Sequence, residues 1–390
     1  MSDAPQPFRA DAPGSRQSPG VRVAVVSEFY PRARDPVLGV WAHRQALAAR
    51  EAGADVRVLV LERPVPSRDE PSKLRALTRM ASQPRRATID GLDVRYVPFL
   101  APPRWRTYDH WGAWAAPATA FALRALRNEF PFDLVHAHNA VPAGEAVRRA
   151  RLDTPLIVSV HGGDVLWTAP KLGDKAIRRT FAAANLVLAN SAGIERLAVG
   201  LGAGRTRVLH LGTDLPATPP PNAEPRTIVT VGHLVARKHH ADVIRALPDG
   251  ARYLVIGDGP ERAALERLAE DRHANVEFTG QLPHEEALAR ARRAAVFAMP
   301  STEEAFGVAY VEAMAAGLPA IGRRGEPGPE EIASLGGGLL LTGDGDLGAA
   351  LRLALDDRDA LGAQARATVE RHFTWERCGR ATVDAYASVL

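Results

Sequence analysis

A chain of 390 residues with 46% hydrophobic and 24% charged residues has globular composition and exceeds one ordinary core, so two domains with a cleft between them are expected. No run of 18 or more uncharged apolar residues occurs, which excludes a simple membrane-spanning helix. The net charge of +4 is mild, and the single cysteine, Cys378, excludes an intrachain disulfide, disfavours a zinc site and fits a reducing, cytoplasmic setting.

Taken in chain order, residues 1–20 (MSDAPQPFRADAPGSRQSPG) are rich in Pro, Ser and Ala and lack an apolar signal core, so they read as a disordered tail rather than an export signal. VRVAVVS (21–27) has the β-branched density of a buried strand, HRQALAAREAG (43–53) reads as a helix closed by glycine, and DVRVLVL (55–61) returns as a strand. Residues 63–86 carry seven Lys or Arg against two acids, and APPRWRTYDHWGAWAAP follows with Trp105, Trp111 and Trp114 near Arg104 and Arg106. Basic residues followed by interfacial aromatics suit an anionic membrane surface or a lipid-linked or acidic acceptor, although a solvated basic loop explains the first stretch equally simply. No nucleic-acid-binding motif accompanies them, so nucleic acid is not expected as a partner.

Further strands are expected at DLVHAH (133–138), PLIVSVHG (155–162) and NLVLANS (185–191), separated by alanine-rich helical stretches. This alternation implies a parallel, doubly wound α/β sheet over residues 21–215. TDLPATPPPNAEPR (213–226) interrupts the pattern with prolines, placing a stiff linker at 216–226. The alternation restarts with TIVTVGH (227–233), RYLVIGDG (252–259), NVEFTG (275–280), AAVFAMP (294–300) and LPAIG (318–322), giving a second Rossmann-like domain over 227–373. TWERCGRATVDAYASVL (374–390) reads as a terminal helix.

In parallel sheets of this kind ligands collect beyond the carboxyl ends of the strands. Arg237 and Lys238 follow the first strand of the second domain and are placed to neutralise a diphosphate, although spacing alone leaves an exposed basic turn equally open. In STEEAFGVAYVEAMAAGLPAI (301–321) a loop carrying Glu304 enters a helix begun by Gly307 and ended by Gly317, with Glu312 inside it. Backbone N–H groups near Gly307 and Val308 then suit a phosphate oxygen, while the two carboxylates require hydroxyl donors such as those of sugars and ribose. Simple helix decoration is the alternative. The Asp344 and Asp346 pair reads as a helix cap, and His136 and His138 as core or cleft-lining residues, so no metal is assigned.

The stretch E-A-F-G-V-A-Y-V-E followed by A-M-A-A-G-L-P resembles the signature of the family-four retaining glycosyltransferases. SEFYP with Gly39, SVHGGDV, HLGTD, GDGP, FTGQL and HFTWER extend the likeness along nearly the whole chain. The resemblance implies the GT-B fold, two facing Rossmann-like domains, with the 374–390 helix crossing back to the N-terminal domain. It further implies transfer of a hexose-type sugar from a nucleoside-diphosphate sugar to an acceptor hydroxyl in envelope polysaccharide or glycolipid synthesis, with retention, without a metal and without a cofactor beyond the donor. By the same likeness Glu312 would bind ribose, Glu304 the transferred sugar, and Phe306, Gly307 and Val308 would offer backbone donors. Lys238 would hold the diphosphate, Gly39 would let the first loop approach it, His161 would lie at the reacting sugar, and Gln281 and Leu282 would meet the base. Two departures stand out: His233 replaces the family arginine after Gly232, with Arg237 a candidate substitute, and Val40 replaces a second small residue after Gly39. A nucleotide-sugar epimerase of similar architecture and a bilobed binding protein are the alternatives.

Overall fold

The computed structural model describes residues 20–33, 35–63, 78, 82–102, 107–216 and 224–390. The tail expected over 1–19, most of the basic stretch, Arg104–Arg106 and the prolines of the linker at 219–221 lie outside the described residues.

Two parallel sheets account for the fold. The first runs β3-β4-β2-β1-β5-β6-β7-β8, where β1 is Arg22–Ser27, β2 Asp55–Glu62, β3 Arg86–Ile89, β4 Leu92–Pro98, β5 Leu134–His138, β6 Leu156–Val160, β7 Leu186–Ala189 and β8 Thr206–Val208. Every pair is parallel except β3 with β4, a hairpin turned by Asp90 and Gly91, both at positive φ (47° and 78°) as a type I′ geometry requires. The second sheet runs β11-β10-β9-β12-β13-β14 and is parallel throughout, with β9 Thr227–Val231, β10 Arg252–Ile256, β11 Val276–Gly280, β12 Val296–Ala298, β13 Ala320–Arg323 and β14 Leu339–Thr342. Its strand order reverses between β9 and β12, and that of the first sheet between β1 and β5. Both reversals open a crevice at the strands' carboxyl ends.

The central strands are buried on both faces, which explains their continuous Val/Leu/Ile/Ala runs: β5, β6 and β7 expose no residue. The helices used below are α1 (Val40–Glu51), α2 (Trp111–Glu129), α3 (Ala192–Gly200), α4 (Val308–Ala315), α5 (Pro327–Leu335) and α6 (Trp375–Ala387). One face of the first sheet packs on α2 through Leu123 and Leu126, the other on α1 and α6 through Ala42, Ala46, Cys378 and Tyr386. The terminal helix α6 therefore belongs to the core of the first domain although its chain arrives from the second. Its amino end is capped by Thr374, whose Oγ1 accepts the Arg377 amide at 3.3 Å, and the Thr213 amide donates to the Phe373 carbonyl at 2.8 Å where the crossover meets the linker. Helices α1 and α6 approach so closely that a Cβ on Gly379 would lie 2.2 Å from the Ala48 carbonyl oxygen. Gln45 Nε2 reaches Thr382 Oγ1 at 3.3 Å across the same contact.

The acidic pair differs from the sequence expectation. Asp346 precedes the helix Leu347–Asp356 but makes no side-chain cap; its Oδ1 instead accepts the Gly343 amide at 2.8 Å, and Asp344 pairs with Arg323 at 2.7 Å. Trp111 also differs: it is 2% exposed, its Nε1 donates to Pro102 O and its ring carries the Arg63 guanidinium at 4.1 Å, so it is core and not an interfacial aromatic.

The α1–α6 contact yields a stability test. Gly379→Val must push two backbones apart and is expected to cost about 1–3 kcal/mol, lowering the thermal midpoint. Gly200→Ala, at a helix end with nothing within 4 Å of the added Cβ, is expected to be neutral or slightly stabilising in the same melt.

Candidate active site

The second-domain half of the cleft is built at the carboxyl ends of β9 and β12. After β9 the chain makes a single 3-10 turn, Ala236–Lys238, ended by His239 at φ 54°. Lys238 Nζ, on a side chain only 11% exposed, donates to Glu304 Oε2 at 2.6 Å and lies 3.3 Å from Met299 Sδ. Ser301 Oγ donates to the same carboxylate oxygen at 3.0 Å. Arg237 Nη1 stands 4.0 Å from it, outside hydrogen-bond reach, with the guanidinium 4.7 Å over the ring of Trp167 from the first domain. The Thr302 amide donates to the Arg237 carbonyl at 2.9 Å, tying the two loops together. From below, Glu326 Oε2 accepts the Glu304 amide and the Gly328 amide donates to the Glu304 carbonyl, both at 2.9 Å. The loop that carries Glu304 is thus fixed by the start of α5.

Gly307 ends this loop at φ 80°, where an added Cβ would meet the Tyr310 ring at 2.4 Å. Val308 then opens α4. The Phe306 side chain is 2% exposed and packs against Phe373 and His210 in the second-domain core. Only the backbone of Phe306 is therefore available to a ligand.

On the facing side, β6 delivers His161. Its Nε2 shares a hydrogen bond of 2.9 Å with His138 Nδ1, and the two rings stack at 5.2 Å. Behind them His136 bonds the Tyr386 hydroxyl of α6 through Nδ1 at 2.9 Å and Ser159 Oγ through Nε2 at 2.8 Å. Burial lowers His161 to about 4 and His136 to about 3, so both rings are neutral at pH 7. Gly162, at φ 100°, brings this loop so near the donor-side loop that a Cβ would sit 2.2 Å from the Ala305 Cβ. Asp164 accepts from the Tyr108 hydroxyl at 2.7 Å and from the Ala140 amide at 2.5 Å, holding the rest of the loop to the first-domain core.

Glu312, about one turn into α4, faces a cavity of about 500 Å³ lined from both domains by Val40, Trp41, Arg44, Asp214, His284 and Val308 among others. Burial pushes its carboxyl up to about 7, against a smaller opposing pull from Arg292. An adjoining space of about 280 Å³ is lined by Gln281, Leu282, Gly232, His233, Gly257 and Asp258, and Val37 and His284 border both. Volumes of this order suit a small organic ligand.

Val308 and Glu312 thus line the larger space and Gln281 and Leu282 the adjoining one, while Lys238, Arg237 and Glu304 form one charge cluster and His161 lies 6.1 Å, ring to ring, from Trp41 of the larger space. Gly39 sits at φ 66° at the start of α1, and a Cβ there would collide with the Phe29 carbonyl at 2.2 Å, so the chain's own turn requires glycine at this position. Sequence reasoning missed Trp41, Trp167, Glu326 and Glu331. Glu331 joins the domains: its Oε2 accepts the Ala192 amide at the start of α3 at 2.8 Å and its Oε1 meets His210 Nε2 at 2.7 Å. Burial opposes its charge, but these bonds outweigh burial and hold its carboxyl below the usual range. No spacing marks any of the four. Among the described residues no group of three or more His, Cys, Asp or Glu is placed to hold a metal ion.

Two facing parallel-sheet domains, a crossover helix and a cleft with clustered cations, a helix start and buried carboxylates define the GT-B class of glycosyltransferases. The model for Glycosyltransferase Family 4 matches residues 38–216 and that for Glycosyl transferases group 1 matches 213–370. Among curated relatives, a GDP-mannose-dependent monoacylated alpha-(1-6)-phosphatidylinositol monomannoside mannosyltransferase of Corynebacterium glutamicum is 29% identical over 67% of this chain and 78% of its own length. A putative teichuronic acid biosynthesis glycosyltransferase, TuaC of Bacillus subtilis, is 26% identical over 77% and 80% respectively. Among solved structures, sucrose-phosphate synthase of Thermosynechococcus elongatus superposes with a TM-score of 0.75 at 20% identity, covering 95% of this chain and 99% of that one. Anabaena HepE in complex with UDP and glucose gives 0.68 at 19%, covering 94% and 100%. The chain belongs to the family 4 glycosyltransferases, which favours sugar transfer over the epimerase alternative.

The raised Glu312 carboxyl makes the site pH-sensitive. Because the folded protein holds this proton more tightly than the unfolded chain, Glu312 disfavours the folded state as pH rises from about 4.5 to its folded value of about 7. Glu312→Gln is therefore expected to stabilise the ligand-free protein at pH 8 by up to about 2–3 kcal/mol and to change it little at pH 4.5, measured as paired thermal melts.

Proposed function

We propose that this glycosyltransferase moves a hexose from a nucleoside-diphosphate sugar to an acceptor hydroxyl with retention of configuration and without a metal ion. The observation that carries this reading is the Lys238–Glu304 contact of 2.6 Å beside Arg237 and the start of α4. Two cations and one carboxylate leave a surplus positive charge next to backbone amides, which suits a diphosphate leaving group. As the anomeric bond breaks, negative charge grows on that diphosphate. Fixed donors at Lys238, Arg237 and the amides at Gly307 and Val308 stabilise it more in the transition state than in the ground state, the electrostatic contribution a metal would otherwise make. Glu304 accepts from a sugar hydroxyl as Lys238 turns to phosphate. Glu312 accepts from ribose hydroxyls, and Gln281 and Leu282 border the base.

The neutral His161 faces the same gap from the first domain. An uncharged imidazole there adds no second positive charge to an oxocarbenium-like centre. The acceptor oxygen then attacks from the side the diphosphate is leaving, and the departing phosphate oxygen takes its proton, so the new bond has the configuration of the old one. The test is incubation of the protein with UDP- and GDP-sugars, with and without a lipid or polysaccharide acceptor extract and in the presence of a chelator. Acceptor-dependent release of nucleoside diphosphate is expected, with an α product from an α donor. Lys238→Ala should lower kcat/KM by about 10²-fold or more through loss of a charge-assisted contact. An inverted product would overturn the retaining assignment, and chelator-sensitive activity the metal-free one.

The acceptor side carries a second proposal. On α2, Trp114, Pro117 and Phe121 share an exposed stripe, with Phe121 77% and nearby Leu100 65% exposed, on a molecule with no helix among the described residues long and apolar enough to cross a membrane. We place a peripheral membrane contact or lipid-linked acceptor at this face. Trp114→Ser with Phe121→Ser should reduce sedimentation with phosphatidylglycerol vesicles several-fold and leave donor hydrolysis unchanged. Equal sedimentation would remove the proposal.

A further inference from the structure

Arg237 and Trp167 come from different domains and meet face on. Arg237 lies on the 3-10 turn after β9, Trp167 in the loop that His161, Gly162 and Gly163 open after β6. The guanidinium carbon is 4.7 Å from the ring centre, within cation–π range. Two donors at this junction are buried and unpartnered: Arg237 Nη1, for which Glu304 Oε2 at 4.0 Å is too distant, and the indole Nε1 of Trp167. Buried donors without acceptors are costly, and both are satisfied by the same kind of ligand, one presenting anionic or lone-pair oxygens. The adjacent carboxylate cannot serve both cations, because Lys238 and Ser301 already occupy its nearer oxygen.

The neighbouring loop shows why this matters. Where the sequence resemblance implies an arginine after the glycine that follows the strand, this chain has Gly232 and His233, and His233 lines the space beside Gln281 and Leu282. A flexible arginine further along the turn replaces that charge only if its guanidinium is held in place, since a free side chain loses rotamer entropy on binding. Trp167 provides the restraint: the guanidinium carbon sits 4.7 Å over its ring centre, while Arg237 Nη1 keeps no hydrogen-bond partner.

We propose that Trp167 is a positioning residue for the donor diphosphate, acting through Arg237, so that the first domain completes the cation pair of the second. The inference rests on the donor-site reading above. It also makes diphosphate binding sensitive to domain closure, because Arg237 is oriented only while the His161–Thr168 loop is seated against Ala305.

The test is equilibrium binding of UDP, GDP, UMP and GMP to the full-length protein and its variants by calorimetry. Trp167→Ala is expected to weaken the preferred nucleoside diphosphate by about 5- to 20-fold, the range a desolvated cation–π contact supplies, and to leave the matching monophosphate within about two-fold. Trp167→Phe, which keeps an aromatic face, should recover most of the loss. Arg237→Ala should weaken the diphosphate similarly, and the Trp167→Ala, Arg237→Ala double variant should be no weaker than the worse single variant. Additive losses, or equal losses for mono- and diphosphate, would overturn the coupling. A wild-type protein that binds no nucleoside diphosphate would overturn the donor-site reading itself and this inference with it, a result separable from all the variant outcomes because it needs no variant.

Discussion

The cleft depends on how closely the two domains meet at Ala305. Gly162 lies where any side chain would overlap the Ala305 Cβ, and Ser191 Oγ donates to the Ala305 carbonyl at 2.9 Å while also capping α3. One small residue in the second domain therefore receives two loops of the first, those after β6 and β7. Because Ala305 adjoins Glu304, this seat also sets the distance from His161 to the Lys238–Glu304 pair. A bulkier residue at either position would open the cleft and separate the histidine from the cations, even with both domains intact. Glu331 reinforces the seat from α5 by taking the free amide of Ala192, a charge-assisted cap supplied across the domain boundary.

Much of the fold was legible because parallel strands buried on both faces leave long β-branched runs, as in VRVAVVS and TIVTVGH. The exceptions have local causes. The hairpin β3–β4 lies at the sheet edge, where half-exposed strands alternate, as in LDVRYVP, instead of forming a continuous apolar run. Its Asp90-Gly91 turn was the available signal and was passed over. The three-residue edge strand Thr206–Val208 has too few residues to show a period, and β14, LLLT, follows three glycines that read as a loop. Among site residues, motif likeness located those on short segments of the chain. It could not locate partners that depend on how domains dock: Trp167 for Arg237, Glu331 for Ala192 and His210, Tyr386 for His136. At Gly39 the motif coincides with a position that its own turn reserves for glycine.

The two domains divide the electrostatic work. The first contributes uncharged groups: three buried histidines, all held neutral by burial, in a row that reaches from Tyr386 on the crossover helix to the cleft. Protonating any one of them would place a charge beside the other two, so the row resists charging as a unit. The second domain contributes Arg237, Lys238 and the start of α4. In the proposed function a negative diphosphate would meet the cations of the second domain, and the sugar the uncharged rings of the first.

In that arrangement Glu304 has to change partners. Without ligand it neutralises Lys238 at 2.6 Å, so neither group is an uncompensated charge in a poorly solvated site. In the proposed function an arriving diphosphate would compete for Lys238, and the carboxylate it displaces would need donors at once. Ser301 supplies one at 3.0 Å and the proposed sugar hydroxyl a second. The exchange is selective for that reason: an inorganic diphosphate offers the anion without the hydroxyl and leaves Glu304 short of a partner, whereas a nucleotide sugar satisfies both sides of the broken pair together.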